Sequence, residues 1–257
     1  MAISYKRISN KTTAYIAGNN QLTEIETAHF EQAAVNAHKV IDQISTFEVD
    51  IFSILGMRNL SAFIGELYAA SLIKVTGDEY RKNPHQDGYP DLILMDEPGK
   101  ALYAKLERAG QLREKGPFSP FANGGIEVKA TCGSVPTPDR CRRLGLEEKP
   151  DIGDQRIGCM IGYDWKAHHR ETNNLIGIFW DFIDRLPRIV AVFFSSNLDQ
   201  SHWGAIVQPR EGGGRTTSVS IMSRGGVAKM YEKWIIVTDS DPRYRAFLNR
   251  HNRGNLL

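Results

Sequence analysis

Apolar residues recur at three- and four-residue intervals from Phe30 through Ala33, Ala34, Ala37, Val40 and Ile41 to Ile44. This is the stripe of a helix with one face in a core. The spacing predicts a helix over 21–50, and Thr23 with Glu26 has the form of a capping box at its start. A second stripe, Leu60, Phe63, Ile64, Leu67, Leu72 and Val75, predicts a helix over about 61–76. Gly77 is placed to end it, because glycine adopts the left-handed conformation that closes helices. Further on the pattern changes. Residues 91–95, 125–131, 175–182, 189–194 and 234–237 are short apolar runs, and they read as strands of a central sheet.

The polar stretch 78–88 reads as a loop. Residues 96–123 form an insertion between two strands, with a charged helix over 101–114 whose apolar face is Leu102, Leu106 and Ala109. Pro136, Pro138 and Pro150 predict loops from 132 to about 154. Short strands are expected at 157–163, 203–207 and 216–222, the last from the alternation of Thr217, Val219 and Ile221. No repeat or linker interrupts the chain, so one domain over 1–257 is the simplest organisation. Its parts are a helical N-terminal region (about 1–60), a core (about 61–131), and a region of strands and loops (about 132–257).

Composition narrows the class. The apolar and charged fractions are those of an ordinary soluble globular protein. No apolar run approaches the length of a bilayer span, so no membrane partner is expected. Residues 1–7 lack the apolar core of a signal peptide. Three cysteines, an odd number at low density, point to a reducing cytoplasm. Cys132, Cys141 and Cys159 lack the close pairing that zinc sites use. A net charge of +2 does not by itself announce a nucleic-acid binder. Its distribution says more: residues 205–257 hold nine Lys or Arg against four Asp or Glu. A basic end of this kind suits a phosphate backbone.

The candidate chemistry lies in Gly125-Ile126-Glu127-Val128-Lys129-Ala130-Thr131. Side chains alternate along a strand, so Glu127 and Lys129 share one face while Ile126, Val128 and Ala130 face a core. A carboxylate and an ammonium held side by side are costly unless they are solvated, paired or used. Asp91 opens the preceding run after Pro90 and brings a second carboxylate. Together the three suit a divalent metal and a water set against a phosphodiester. Glu147-Glu148-Lys149 repeats the acid-x-lysine spacing, but it lies between Gly145 and Pro150 with no apolar run around it and reads as a surface turn. Pro150-Asp151 has no later acid-x-lysine strand to join.

Pro90-Asp91, followed by Glu127-Val128-Lys129, resembles the PD-(D/E)xK signature of the nuclease superfamily that includes most type II restriction endonucleases. The resemblance covers about residues 61–131. It implies an α/β, restriction-endonuclease-like core with a mixed central sheet flanked by helices. It implies Mg²⁺ held by Asp91, Glu127 and the carbonyl of Val128. Lys129 would position the attacking water, stabilise charge, or act as a base if its pKa is depressed. Many members carry a further acid on a helix before the first catalytic strand, a place that Glu66 occupies here. The implied substrate is double-stranded DNA, cut at a specific site by a homodimer if that site is palindromic. A structure-specific or repair nuclease of the same superfamily is the alternative, and a non-catalytic DNA-binding module is the alternative from another class.

Base contacts are expected beyond the lysine. Lys166, His168, His169 and Arg170 form a basic loop suited to phosphates or guanine edges. Arg215 follows Gly212-Gly213-Gly214, a flexible hairpin tip. That glycine run lacks the Gly-Lys-Ser/Thr ending of a phosphate loop and precedes a strand, so no nucleotide cofactor is expected. His168-His169 lacks the companion histidine of a ββα-type metal nuclease.

Overall fold

The longest apolar runs, Leu175–Ile183 and Leu186–Ser195, pair with each other as an antiparallel hairpin. Asp184 and Arg185 close it, both at positive φ, the geometry in which a two-residue turn matches the twist of its strands. A computed structural model describes residues 3–8, 12–146, 150–168, 170–208 and 218–251. Its strands in chain order are β1 (Tyr5–Arg7), β2 (Thr12–Ile16), β3 (Leu22–Glu26), β4 (Tyr80–Lys82), β5 (Leu92–Leu94), β6 (Gly125–Thr131), β7 (Lys166–Ala167), β8 (Leu175–Ile183), β9 (Leu186–Ser195), β10 (Ser220–Ile221) and β11 (Trp234–Thr238). Its helices are α1 (Thr27–Ile44), α2 (Ile51–Ile54), α3 (Met57–Val75), α4 (Glu97–Arg108), α5 (Pro138–Leu144), α6 (Arg224–Tyr231) and α7 (Pro242–His251).

Seven strands form one sheet in the order β1-β11-β9-β8-β6-β5-β4. Only β6 and β8 run parallel; the other neighbours are antiparallel. The chain is therefore α/β with a large mixed central sheet flanked by helices. The alternation along β8 shows how the two faces are covered. Ile176, Ile178 and Trp180 enter a cluster with Phe30, Ala33, Ala34, Ala37 and Ile41 of α1 and Leu60, Ile64 and Leu72 of α3. Leu175 and Phe179 enter a second cluster with Met230 of α6 and Tyr244 and Phe247 of α7. A strand buried on both faces reads as a continuous apolar run, which is why β8 and β9 stand out in the sequence. A third cluster joins Ile93 of β5 to Leu106, Phe118 and Phe121, so the 96–123 insertion packs on its own small core against the sheet.

Several sequence expectations need correction. Residues 22–26 are strand, paired with Thr12–Ile16 in a hairpin, and α1 begins only at Thr27. Thr23 and Glu26 form no capping box, since Glu26 occupies the N-cap position without a side-chain cap bond. The N-terminal region is therefore β1 and a hairpin before it is helical. The predicted loop 78–88 contains β4. The helix of the insertion starts earlier, at Glu97, where Asp96 caps it by accepting from Gly99 N. Helix α5 lies in the stretch predicted as loops. Residues 157–163 form no strand; Ile157, Met160 and Tyr163 are buried plugs of the second cluster instead. At 203–207 only single bridges form, Trp203 with Met222 and Val207 with Val219. Of the 216–222 strand, the described part is β10, which pairs with β7 outside the main sheet.

Candidate active site

Strand β6 carries Glu127 and Lys129 on one face, while Ile126 and Val128 are buried on the other. β5 pairs antiparallel with β6 through Leu92 and Ile126, which sets Asp91 opposite Glu127. The three side chains meet. Lys129 Nζ lies 2.6 Å from Glu127 Oε1 and 2.9 Å from Asp91 Oδ2. Val128 N donates to the same Asp91 Oδ2 at 2.9 Å, and Asp91 N donates to Glu127 Oε2 at 3.1 Å. No described residue donates to Asp91 Oδ1. Backbone groups of one strand residue point to the same neighbour. The Val128 carbonyl therefore faces the edge that its N–H shares with Asp91.

Burial grades the three groups. Glu127 is 4% exposed, whereas the side chains of Lys129 and Asp91 are 22% and 38% exposed. Burial pushes the Glu127 carboxyl above the ordinary glutamate range, against the opposing pull of Lys129. Burial would depress Lys129, but the charges of Glu127 and Asp91 beside it outweigh that and hold it above its ordinary value. The site is thus a cation held between two carboxylates on a half-open strand edge.

Polar side chains that the apolar pattern does not reveal hold this edge in place. Asn83, 7% exposed, donates from Nδ2 to Pro90 O and Phe118 O, each at 3.0 Å, and Asn83 N donates to Asp91 O. Phe121 N donates to Tyr89 O, and Tyr89 N to Phe118 O. On the β8 side, Asn174 Nδ2 donates to Gly125 O at 3.1 Å, and Glu127 N donates to Asn174 O at 3.0 Å. Gly125 itself has φ +147, and a Cβ there would lie 2.0 Å from Leu92 O. Glycine is required for β5 to approach β6 this closely. The Asn83 and Asn174 pegs lie in stretches that read as polar loop, and only their local sequence could have hinted at them.

The remaining predicted residues are dispersed. Glu66 lies on the exposed side of α3 and pairs with Lys82 at 2.6 Å. Among the described residues no three His, Cys, Asp or Glu side chains cluster closely enough to hold a metal, so Glu66 does not complete a three-acid set with Asp91 and Glu127. Lys166 is exposed on β7. His168 Nδ1 lies 3.0 Å from Ser218 O. Arg170 Nη2 donates to Gln200 O at 2.9 Å. His169 and Arg215 lie outside the described residues, as does Glu147-Glu148-Lys149. Part of the C-terminal basic surplus is neutralised locally, through Arg243 with Asp241 and Arg245 with Asp239. From β7 the chain returns to the candidate site at Asn173, whose Oδ1 accepts from Tyr89 OH.

Next to Asp91 lies a cleft of about 480 Å³, bordered by Tyr89, Pro90, Phe121, Gly125, Asn173 and Asn174. Among the described residues no helix is long and apolar enough to cross a membrane. No protein-family model, curated protein or solved structure matches the chain, and the functional reading rests on the geometry of Asp91, Glu127 and Lys129.

Proposed function

We propose that this chain is a Mg²⁺-dependent, site-specific endonuclease of double-stranded DNA, of the type II restriction class that its Pro90-Asp91 and Glu127-Val128-Lys129 pattern resembles. One observation carries the reading. Asp91 and Lys129, 38 residues apart in sequence, meet with Glu127 at one strand edge. The oxygen donors there suit the ion: the uncommitted Asp91 Oδ1, the Glu127 carboxylate and the Val128 carbonyl are all hard ligands. When bound, Mg²⁺ supplies charge neutralisation on the phosphate and acidifies a water.

The chain's own residues do the rest. Asp91 and Glu127 would hold the ion, and the Asn83 and Asn174 pegs fix the backbone from which they project. Lys129 orients water towards the phosphorus and stabilises negative charge on the phosphate oxygens. An ammonium shared by two carboxylates stays cationic, so of the three roles open to a lysine, proton acceptance is the one this setting serves least. Lys166 and His168, exposed on the β7 side, are candidates to contact the DNA backbone, and a palindromic site would call for a homodimer.

Digestion of a long supercoiled plasmid tests the reading. Discrete bands with Mg²⁺ and intact plasmid with chelator are expected. Nicks or smears would move the chain to the structure-specific nucleases. Absence of cutting in any divalent metal would leave Asp91, Glu127 and Lys129 as a structural ion cluster.

A further inference from the structure

We propose that the cleft beside Asp91 is a nucleobase pocket, which takes the uncharged base of a nucleotide displaced from its stack next to the scissile phosphate. The nuclease reading supplies its place on the substrate; the cleft's own chemistry supplies the ligand class. Pro90, which precedes Asp91 directly, and Gly125, two residues before Glu127, line it, so the cleft adjoins the candidate site. A volume of about 480 Å³ falls in the range of small-molecule sites.

The lining selects a base over a phosphate. Among the described residues no lysine or arginine borders the cleft, and Glu171 does, which repels an anion. Asn20, Asn173 and Asn174 also border it. Asn173 Oδ1 is occupied by Tyr89 OH and Asn174 N, which leaves its Nδ2 as a donor. Asn174 is 4% exposed, and its Oδ1 has no hydrogen-bond partner among the described residues. An orphaned acceptor at that burial calls for a donor from a ligand or a water. Amides present a donor and an acceptor in one plane, the pattern that base edges match. Pro90, Pro120 and Phe121 add flat apolar walls against which a ring can lie.

At the mouth stands an apolar pair on a rigid support. Ile16 and Leu22 face each other across the β2–β3 hairpin and are 53% and 57% exposed; Ile16 also lines the cleft. Exposed aliphatic side chains of this kind insert between base steps and unstack them. The hairpin tip is docked tightly: Gly18 N donates to Asn123 O, and a Cβ on Gly18 would lie 2.2 Å from Ala122 O. A wedge so supported would push on a base stack without itself yielding.

The test needs no cleavage. The full-length, isotope-labelled, metal-free protein is titrated with deoxyadenosine, deoxyguanosine, deoxycytidine and thymidine, and the side-chain amide resonances of Asn20, Asn173 and Asn174 are followed. At least one nucleoside is expected to shift them saturably. Inorganic phosphate at the same concentration should not displace it. Asn173→Ala should weaken binding about tenfold, and Ser196→Trp, which fills the cleft from its rim, should abolish it. If no nucleoside moves these resonances up to its solubility limit, or if phosphate displaces it, the pocket is refuted. A plasmid cut by a protein that binds no nucleoside refutes the pocket and leaves the nuclease. Nucleoside binding by a protein that never cuts DNA refutes the nuclease and leaves the pocket.

Discussion

Replacing Gly125 by alanine perturbs the candidate site through the backbone alone. The new Cβ would lie 2.0 Å from Leu92 O, 2.9 Å from Pro90 Cγ and 3.0 Å from Ile93 Cα. Carbon and carbonyl oxygen approach to about 3.3 Å at closest in ordinary contacts, so β5 must retreat by more than about 1 Å. The positive φ of 147° adds about 1–3 kcal/mol of strain for any residue with a side chain. The retreat stretches the bonds of Asp91 N to Glu127 Oε2 at 3.1 Å and of Val128 N to Asp91 Oδ2 at 2.9 Å beyond useful range. Hydrogen bonds to charged groups are worth about 1.5–3 kcal/mol each. Gly125→Ala should therefore cost about 3–6 kcal/mol, allowing for partial relaxation. Urea unfolding followed by circular dichroism measures this, with Gly116→Ala as control, because a Cβ there meets nothing within 4 Å. Under conditions where the variant is folded, cleavage should fall about 100-fold, the scale of a misplacement of about 1 Å in a catalytic group. A Gly125→Ala protein within about 1 kcal/mol of wild type that cuts DNA at the wild-type rate would refute the close-approach argument.

Other predictions concern charge. His38 is buried, and its Nε2 accepts from Ile189 N at 2.9 Å; burial, with a smaller contribution from Arg188, pushes its pKa down to about 3. The unfolded chain takes up the proton first, so the stability tied to neutral His38 is fully present above about pH 6.5. It is lost as pH falls from there towards 3. His38→Gln should flatten this part of the pH–stability curve, and an unchanged slope in urea midpoints between pH 7 and 4 would contradict the assignment. Lys129→Met removes the ammonium that Asp91 and Glu127 share and should cost about 3–5 kcal/mol at pH 8 without metal. Adding Glu127→Gln should return much of that; effects additive to within about 0.5 kcal/mol would show that the two do not interact. Glu66→Gln should change stability by less than about 1 kcal/mol, since its pair with Lys82 is exposed. It should also leave the Mg²⁺ dependence of cleavage unaltered, and a raised Mg²⁺ requirement would put Glu66 at the metal.

The parts legible in the sequence are those with one-sided or fully apolar patterns. The stripes of α1 and α3 and the continuous runs of β8 and β9 were readable because burial alone selects those residues. The acid-x-lysine of β6 was readable because its two polar side chains interrupt an apolar strand at a spacing of two. Residues 22–26 misled because Thr23 and Glu26 have the spacing of a capping box ahead of the α1 stripe, while their strand partner, Thr12–Ile16, is identified only through pairing across a turn. At 157–163 an apolar run looked like strand. Its residues are core plugs on irregular backbone, with Cys159 N bonded to Arg156 O and Ile161 N to Ser134 O. Helices α5, α6 and α7 are short and polar, so their packing against β-rich neighbours outweighs their weak periodicity. The asparagine pegs left no periodic trace, because what defines them is a carbonyl elsewhere in the chain.

Single-turnover cleavage of a plasmid in Mg²⁺, comparing wild type with Asp91→Ala, Glu127→Ala and Lys129→Ala, tests the central claim most directly. Folding of each variant is checked by circular dichroism and DNA binding by gel shift in the absence of metal. Wild type should cut at discrete sites, while each variant binds DNA and fails to cut. A folded, DNA-binding variant of any of the three that cuts at near wild-type rate would contradict the claim.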